Sequence, residues 1–543
     1  MLSPYETAIG SWTKRSTFFW AATGATVGLS NLWKFPYLAS QNGGGLFVLM
    51  YLACLLLVTL PLMLTETSIG RSTRHGMVLA LDGLIRSASG SRHWVWAGRL
   101  SILAGFLVLS FTAVIGAICL AYVFYGALGF FVGASAQDIA GTLSGLVEHP
   151  AGYRNFMAWH AIFLGLVVTV AIQGVMGGLE RAFRVVVPAF LMLLVGLLGY
   201  SAVYGDLNGA TDLILGLRPQ QLTWQSLQLA LTHAFYTLGL GMGVWVVFGS
   251  YMPSIAPLKR SVFAVALMDT WVAMMAGLMI YALVFRDGGD GAGQGFALVF
   301  LALPSALADA PAGQFVATAI FVLILLVAWT SSLALLEPVI GWFQEWFGAP
   351  RGWSAVLMGV ATWVAGLGSL YSFNIWADAT LAGGTPFRWV ELIASGLLIP
   401  LVSVALALFV GWYLGRRRAF VLIGQAHRLI AQVWFWVLRL VLPLVILYIG
   451  GSYAITSLGS LCEAGQVAPW CRPATGVEPA LPAPGEALDP APILLRPPGP
   501  DEPLPEPLIH PLLELNKFMP PTEEEGRRVD DVYHRGELRY QSV

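Results

Sequence analysis

Long apolar stretches separated by short polar loops fill the chain from about residue 16 to residue 456. A helix needs about 20 apolar residues to cross a bilayer, and eleven stretches meet that length. Several are longer than about 25 residues and must tilt or protrude. Their approximate ranges are 16–40, 44–70, 97–133, 156–177, 182–205, 225–251, 260–285, 313–347, 352–372, 389–415 and 429–456. The pattern predicts an all-α polytopic membrane protein with eleven transmembrane helices.

The composition supports this class. Of the 543 residues, 57% are hydrophobic and 11% are charged, whereas roughly 25% are charged in ordinary globular domains. The net charge of −1 gives no electrostatic reason to expect a nucleic-acid partner. No small-residue cleavage site follows Lys14 and Arg15, so the first stretch is expected to stay in the protein as helix 1.

Lys and Arg residues predict the orientation, because the inner loops of membrane proteins are enriched in both. With residues 1–15 in the cytoplasm, 16 of these cations fall in inner loops and 4 in outer loops. An odd number of spans then places residues 457–543 outside. This Pro-rich segment, with Pro-Pro-Gly-Pro at 497–500, predicts an extended or disordered tail. Cys462 and Cys471 at its start either form a disulfide or stay as two free thiols.

The first apolar stretch contains small and polar residues that a lipid-facing helix would not need. They include Gly24, Gly28, Asn31 and Lys34. Unpaired backbone and polar groups at membrane depth are tolerated only beside protein or a water-filled cavity. The stretch therefore predicts a helix broken around Val27 to Asn31, with its freed backbone groups facing a binding site.

The sixth stretch carries alternating glycines at positions 239, 241 and 243. Each glycine costs about 1 kcal/mol against alanine inside a helix, so three together predict an unwound segment, although small residues also suit a close helix crossing. Breaks in spans 1 and 6 favour a transporter site between two repeats. Because the breaks are five spans apart and five is odd, the second repeat (225–415) is inverted relative to the first (16–205). Helix 11 (429–456) follows both.

Three short stretches match a known signature. They are Gly28-Leu-Ser-Asn-Leu-Trp-Lys-Phe-Pro-Tyr37 followed by Asn42-Gly-Gly-Gly45, then Tyr236 to Gly243, then Trp329-Thr-Ser-Ser332 with Glu337-Pro338. Together they resemble the neurotransmitter:sodium symporter family, in its bacterial eleven-helix type, over residues 12 to about 456. The resemblance implies a five-plus-five inverted-repeat fold and sodium-coupled uptake of amino acids or their derivatives by alternating access. It also implies residence in a bacterial cytoplasmic (inner) membrane.

The resemblance implies two sodium sites built from oxygen ligands, which a hard cation requires. The first takes the Thr26 carbonyl, the Asn31 side chain, both oxygens of Thr237 and the Asp269 carboxylate in span 7. An acid inside a membrane span indicates a functional site by default. The alternative is that Asp269 is a structural, hydrogen-bonded acid.

The second sodium site implied by the resemblance joins span 1 to span 8. Its ligands are the carbonyls of Gly24, Val27 and Val327 and the hydroxyls of Thr330 and Ser331. Hydroxyls in a membrane helix also back-bond to carbonyls of their own helix, which is the alternative interpretation of this pair.

Asp269 also predicts that transport needs no chloride. Chloride-dependent members of the family place a neutral residue at this position and gather the anion nearby, whereas here a fixed carboxylate supplies the charge. Ala273, one turn further along, offers nothing to bind an anion. Sodium is therefore expected as the coupling ion, and the sequence does not decide whether a proton on Asp269 exchanges with the sodium cycle.

The resemblance places an outer gate at Lys34 and Glu391, where most members have Arg and Asp. Lysine lacks the bidentate fork of arginine, so a looser contact is expected; alternatively, both side chains extend towards the membrane interface. Glu66 in span 2 matches an acid that supports the unwound backbone of helix 6.

The inner gate falls on Glu345, with Tyr251 and Glu337 as neighbours. Its usual basic partner near the N-terminus is missing, because residues 1–11 contain no Lys or Arg. Lys14 or Arg15 is the nearest substitute.

The expected substrate carries a carboxylate, since Gly28 stands where monoamine carriers have an acid. Span 3 normally holds a Tyr that contacts this carboxylate. The alignment puts Thr112 there, with Tyr122 and Tyr125 as alternatives further along. A roomier cavity follows, favouring an apolar or bulky amino acid over a small one. The expected substrate-lining residues are Gly28, Leu29, Ser30, Val108, Thr112, Tyr236, Gly239, Met242, Ser331 and Leu335.

Two other functions stay open from the sequence. The Thr112 change suits a sodium-coupled carrier of a non-standard zwitterion, and the missing inner-gate base suits a transport-inactive ligand sensor. No nucleophile–base pair, metal cluster or phosphate loop indicates an enzyme. The expected partners are a small-molecule substrate and the lipid bilayer, and the oligomeric state is not determined by the sequence.

Overall fold

The structure, a computed structural model, describes residues 9–88, 91–253, 255–286, 295–424 and 428–463. Within these ranges the chain is helical without β-strands, and nine uninterrupted helices are long and apolar enough to cross a membrane. Two further helices are each interrupted by non-helical backbone. Together they make the eleven spans that the hydrophobic pattern predicts. The tail beyond residue 463 and the proposed Cys462–Cys471 pair lie outside the described side chains.

The spanning helices are labelled α1 to α11 in chain order. The two interrupted ones are α1, with halves α1a (Thr17–Thr26) and α1b (Leu29–Leu32 and Lys34–Gln41), and α6, with halves α6a (Trp224–Thr237) and α6b (Val244–Tyr251). The continuous ones are α2 (Gly45–Thr73), α3 (Arg92–Ala127), α4 (Pro150–Ile172), α5 (Val175–Tyr204), α7 (Leu258–Val284), α8 (Gly313–Phe347), α9 (Arg351–Tyr371), α10 (Pro386–Tyr413) and α11 (Arg428–Gly459).

Shorter helices lie in the connections between spans. They are Met77–Ser87 before α3, Ala136–Val147 before α4, Leu207–Leu215 before α6, Gly295–Ala297 and Leu303–Leu307 before α8, and Gly415–Ile423 before α11. The predicted boundaries differ by up to seven residues, at the start of α5 (Val175 rather than residue 182), and α3 ends at Ala127 rather than residue 133. Gly129 and Gly133 adopt positive φ there, and Gly133 N–H donates to the Ala308 carbonyl at 3.1 Å. An apolar turn thus continues the hydrophobic stretch beyond the helix.

The break in α1 is shorter than the predicted Val27 to Asn31. Val27 (ψ 105°) and Gly28 (ψ −179°) are extended, and the helix resumes at Leu29. The Asn31 side chain stabilises the restart, because its Oδ1 accepts the Gly28 N–H at 3.0 Å. Because Val27 and Gly28 are extended, the end of α1a and the start of α1b both face the protein interior.

The break in α6 spans residues 238–243, where all three alternating glycines adopt positive φ (+62°, +74° and +77°). Side chains other than glycine rarely take this conformation, so the glycines here mark an unwound segment and not a helix crossing. The backbone N–H of Gly241 donates to Glu66 Oε1 of α2 at 2.9 Å, and Trp245 Nε1 donates to the Leu238 carbonyl at 2.7 Å. A buried acid thereby satisfies a peptide group that the helix has released.

Packing brings the two breaks together in the middle of the protein. The helices α3 and α8 lie against each other over much of their length, α2 packs on both halves of α6, and α1a packs on α5, α7 and α8. A side chain at Gly70 of α2 would lie 1.7 Å from the Val246 carbonyl, so glycine permits the closest part of the α2–α6b contact. The breaks therefore face α3, α7, α8 and α10.

Candidate ion and substrate site between the broken helices

Side chains from three helices, α1, α2 and α6, converge on the carboxyl group of Asp269 in α7. Asn31 Nδ2 donates to Oδ1 at 3.0 Å, Thr237 Oγ1 donates to Oδ2 at 3.0 Å, and Tyr51 of α2 donates to Oδ2 at 3.4 Å. The Thr26 hydroxyl lies close enough to interact with the same carboxyl group, and it donates to the Thr23 carbonyl at 3.3 Å. We call these five residues the Asp269 cluster. It contains every residue assigned from the sequence to the first sodium site, and it adds Tyr51.

The Asp269 cluster has the chemistry of a cation site. Asp269 is fully buried, and no Lys or Arg of the described chain forms an ion pair with it. A buried charge needs a partner of opposite sign or a coordinated metal ion. The surrounding groups offer carbonyl, amide, hydroxyl and carboxylate oxygens, which suit a hard monovalent or divalent cation. The donor set therefore fits sodium.

A second group of oxygens joins α1 to α8. Ser331 Oγ donates across the interface to the Val27 carbonyl at 3.1 Å. Thr330 Oγ1 instead donates to the Val327 carbonyl of its own helix at 3.1 Å, which is the back-bonding alternative. Gly24 lies against α5, where an added side chain would approach Val187 Cγ2 to 2.8 Å. We define the Ser331 cluster as the five positions predicted for the second sodium site: Gly24, Val27, Val327, Thr330 and Ser331.

A cavity of about 340 Å³ lies between α1, α3, α6, α8 and α10. Its volume is in the range of sites for small molecules. We call it the central cavity. All ten residues predicted to line the substrate site line it, and so do Lys34, Glu391, Thr26 and Thr237. Sequence reasoning missed further lining residues, both aliphatic and aromatic. The aromatic ones include Trp33, Phe111, Trp245, Phe296, Phe387 and Tyr453.

The register of α3 settles which of its polar residues meets the cavity. Thr112 lines the central cavity, whereas Tyr122 is buried elsewhere and donates to the Phe300 carbonyl at 3.3 Å. Tyr125 stacks on Phe130 with ring centres 5.1 Å apart. The tyrosines that line the cavity within the described chain come from α1, α6 and α11. The wall at α3 therefore carries a small hydroxyl among the apolar side chains of Val108, Phe111 and Ile115.

The predicted outer-gate residues, Lys34 and Glu391, line the cavity together with an unexpected residue of α11. Glu391 is 2% exposed and lies within electrostatic range of both Lys34 and Arg388. The Tyr453 hydroxyl donates to Glu391 Oε1, and its ring centre lies 5.6 Å from that of Tyr236. The two residues assigned to the outer gate are thus brought together, and Tyr453 joins them.

Tyr236 fixes the outer half of α6 to α10. Its hydroxyl donates to the Ser395 carbonyl at 2.7 Å. Ser395 lies in a wider, π-type turn of α10 at Leu392–Leu398. Such turns release carbonyls from the regular α-helical ladder and are frequent at functional sites.

A chain of contacts runs from the N-terminal segment to α9 through the predicted inner-gate residues. The Trp12 N–H donates to the Tyr251 carbonyl at 3.0 Å, and the Tyr251 hydroxyl donates to Glu337. Arg351 binds the same carboxylate with two hydrogen bonds, of 2.8 Å and 2.7 Å. Two of the predicted inner-gate residues, Tyr251 and Glu337, therefore meet through a hydrogen bond, and Arg351 forms a bidentate ion pair with Glu337.

Glu345 has other partners than those expected. It accepts the Gly76 N–H at 2.8 Å and lies 3.2 Å from His75 Nδ1. Lys14 and Arg15 are exposed, so the interpretation of either as its basic partner is wrong. Neither residue reaches Glu345 because the N-terminal segment is hydrogen-bonded to a different acid.

That acid is Glu180, at the start of α5. It accepts four hydrogen bonds: from the backbone N–H groups of Thr13 and Lys14 at 2.8 and 3.2 Å, and from the hydroxyls of Thr13 and Thr17 at 2.8 and 2.7 Å. Backbone and neutral side chains make this attachment, so the charged groups of residues 14 and 15 stay exposed.

The sequence model of the sodium:neurotransmitter symporter family matches residues 9–130 and 147–464. The chain belongs to the sodium:neurotransmitter symporter family. It is 30% identical over 444 residues to the uncharacterized sodium-dependent transporter YhdH of Bacillus subtilis, covering 81% of this chain and 96% of that one. A sodium-dependent transporter of Haemophilus influenzae is 28% identical over 448 residues, covering 81% of this chain and 97% of that one.

The crystal structure of MhsT in complex with L-phenylalanine superposes on this chain with a TM-score of 0.72 at 31% identity. The match covers 83% of this chain and 99% of MhsT. It confirms the predicted fold, a five-plus-five inverted repeat with broken helices 1 and 6. Membership also confirms that this symporter-family protein is a membrane transporter and not an enzyme.

Proposed function

We propose that this protein is a sodium-coupled symporter that imports an amino acid by alternating access. One observation carries the proposal: each ion cluster shares a residue with the wall of the central cavity. Thr237 lines the cavity and donates to Asp269, and Ser331 lines the cavity and donates to the Val27 carbonyl. A cation bound at either cluster would therefore change the wall that a substrate contacts, which is the physical basis of coupling.

The proposed substrate is an α-amino acid with an apolar or bulky side chain. At the break, the amides of Leu29 and Ser30 begin α1b, where N–H groups have no intrahelical acceptor and attract an anion. A substrate carboxylate there would also meet the sodium ion of the Asp269 cluster. Phe111, Phe296 and the other aromatic side chains make an apolar chamber for the side chain. The structural relative MhsT, which was crystallised with L-phenylalanine, supports this class.

Two sodium sites follow from this proposal. The ligands of the first are Thr26, Asn31, Thr237 and Asp269, and those of the second are Gly24, Val27, Val327, Thr330 and Ser331. Because the Asp269 carboxylate supplies a fixed negative charge beside the first site, we expect no requirement for chloride. Lys34 and Glu391 form the outer gate, and Tyr251, Glu337 and Glu345 contribute to the inner one.

The proposed setting is a bacterial cytoplasmic membrane, with the N-terminus inside and the C-terminal tail outside. The distribution of Lys and Arg between loops supports that orientation. The second candidate function is a sodium-coupled carrier of a non-standard zwitterion. Thr112 favours it, because the cavity wall there lacks the phenol that the family uses for a carboxylate.

Thermal stabilisation of the purified protein tests the proposal, since a ligand that binds the native state raises its stability by mass action. A panel of amino acids and zwitterions is added in sodium chloride, sodium gluconate and potassium chloride. We expect stabilisation by a large apolar amino acid in both sodium salts and none in the potassium salt. A response in the potassium salt would contradict sodium coupling, and a response lost in gluconate would contradict chloride independence.

Replacing Ser331 with alanine is expected to raise the sodium concentration for half-maximal stabilisation by roughly tenfold, the cost of about one hydrogen bond or ligand. The adjacent serine is a matched control. Ser332 is fully buried whereas Ser331 is partly buried, and the Ser332 hydroxyl has no hydrogen-bond partner in the described chain. Sodium titrations of Ser331→Ala and Ser332→Ala should therefore differ; equal shifts would remove Ser331 from the ion site.

Replacing Tyr453 with phenylalanine is expected to speed substrate dissociation by roughly tenfold. The variant removes the hydroxyl that donates to buried Glu391, and hydrogen bonds to charged groups are worth about 1.5–3 kcal/mol. Dissociation of a labelled substrate measures this effect. Tyr413→Phe, at the end of α10, serves as the control because the Tyr413 hydroxyl has no hydrogen-bond partner in the described residues. An unchanged rate in the Tyr453 variant would exclude α11 from the gate.

A further inference from the structure

A second cavity, of about 500 Å³, lies apart from the transport site, at the connection between α2 and α3. We call it the basic cavity. The helix Met77–Ser87 and the start of α3 form its sides, and the end of α8 contributes Trp346. Neither ion cluster nor any residue of the central cavity takes part in it, so transport does not account for its chemistry.

Three arginines concentrate positive charge in the basic cavity. Arg86 and Arg92 share one acid, since both guanidinium groups approach the carboxylate of Asp82 and the second does so at 3.7 Å. Arg99 has no carboxylate partner within the described residues. Three cations against one anion leave a net positive charge of about two.

Arginine side chains here stay available to a ligand. The Arg86 and Arg92 side chains are 70% and 78% exposed. Guanidinium groups bind phosphate oxygens through two parallel hydrogen bonds, and Asp82 fixes the direction of two of them. The geometry therefore suits a phosphate group.

An aromatic wall adjoins the arginines. The Arg99 guanidinium carbon lies 4.8 Å from the ring centre of Trp96 and 5.4 Å from that of Trp346. Both tryptophans are more than half exposed. Tryptophan is enriched where a membrane meets water, with its apolar ring at the level of the lipid head groups. One cavity thus combines a site for an anion with an apolar wall.

We propose that the basic cavity binds the head group of an anionic phospholipid from the adjacent leaflet. The arginines hold the phosphate, and Trp96 and Trp346 contact the upper acyl chains. Basic pockets between membrane helices on the cytoplasmic side bind such head groups. A soluble phosphate compound would use the arginines alone, whereas a lipid uses both walls. Only the choice of leaflet, the cytoplasmic one, depends on the orientation that we propose for the protein.

The experiment measures thermal stabilisation of the full chain in a neutral detergent. The additives are dioleoylphosphatidylglycerol, dioleoylphosphatidylcholine, glycerol phosphate and inorganic phosphate. We expect a concentration-dependent rise in melting temperature with the first and little change with the other three. Equal stabilisation by the two lipids would overturn the proposal. Equal stabilisation by inorganic phosphate would also overturn it, because the site would then belong to a soluble anion.

Substitutions of the arginines test whether the stabilisation by phosphatidylglycerol arises at the basic cavity. Arg92→Gln combined with Arg99→Gln is expected to weaken the response to phosphatidylglycerol by at least about tenfold, since each basic residue near an anionic surface contributes about fivefold. Arg154→Gln, at the start of α4, is the control. Sodium-dependent stabilisation by an amino acid should be the same in both variants, which separates this proposal from the transport function. An unchanged lipid response in the double variant would overturn the assignment.

Discussion

Replacing Asp269 with asparagine is expected to weaken sodium binding by roughly ten- to a hundredfold, because the variant removes the negative charge at the centre of the Asp269 cluster. Asparagine has the same size and keeps one oxygen, so packing changes little. Three donors from three other helices converge on this fully buried carboxyl group. Hydrogen bonds to a charged group are about twice as strong as those between neutral groups, and this difference sets the expected loss of sodium affinity.

Sodium titration of thermal stabilisation measures this change. Asp309→Asn is the control, since Asp309 is an exposed acid far from the site in the chain. The Asp269 variant should also lose sodium-dependent substrate binding, because the ion and the substrate carboxylate are proposed to be neighbours. Unchanged sodium affinity in Asp269→Asn would show that the residue is a structural acid.

Replacing Arg351 with glutamine is expected to lower the free energy of unfolding by about 3–5 kcal/mol, the cost of leaving a buried charge without its partner. Glu337 is fully buried and Arg351 is 14% exposed. Two hydrogen bonds join them, and the Tyr251 hydroxyl shares the same carboxylate. Thermal denaturation should show a large fall in melting temperature.

A double variant separates lost charge pairing from lost packing. Glu337→Gln combined with Arg351→Gln leaves no unpaired charge and should recover most of the stability. Arg260→Gln, an exposed arginine at the start of α7, should change the melting temperature little. If the double variant is no more stable than Arg351→Gln alone, the ion pair is not what Arg351 contributes.

The hydrophobic pattern predicts the eleven spans because the bilayer imposes a minimum apolar length on each helix. The broken helices are also predictable, since Gly239, Gly241 and Gly243 are costly in a regular helix and need the positive φ values that the structure shows. Once both breaks are placed, seven of the ten lining residues follow from their positions in the signature, whereas Val108, Thr112 and Leu335 lie outside it and depend on the alignment with the family. The end of α3 was harder to predict from the sequence, because the turn that follows the helix is as apolar as the helix itself.

Contacts between helices distant in the chain were not predictable. Tyr51 and Tyr453 are aromatic residues inside apolar spans, where nothing local separates a packing residue from a hydrogen-bond donor to Asp269 or Glu391. At the N-terminus, the positive charges of the sequence led to a wrong prediction of the contact with Glu345. Lys14 and Arg15 are exposed, while backbone amides and neutral threonines hold the segment to Glu180.

The central claim is that sodium drives amino-acid import through the cavity between the two breaks. Uptake of labelled L-phenylalanine into proteoliposomes tests it most directly, with the protein and its Asp269→Asn variant compared under an inward sodium gradient. We predict accumulation above equilibrium with sodium chloride or sodium gluconate outside, none with potassium, and little in the variant. Sodium-dependent binding without any accumulation would contradict transport, and equal uptake in potassium would contradict coupling to sodium.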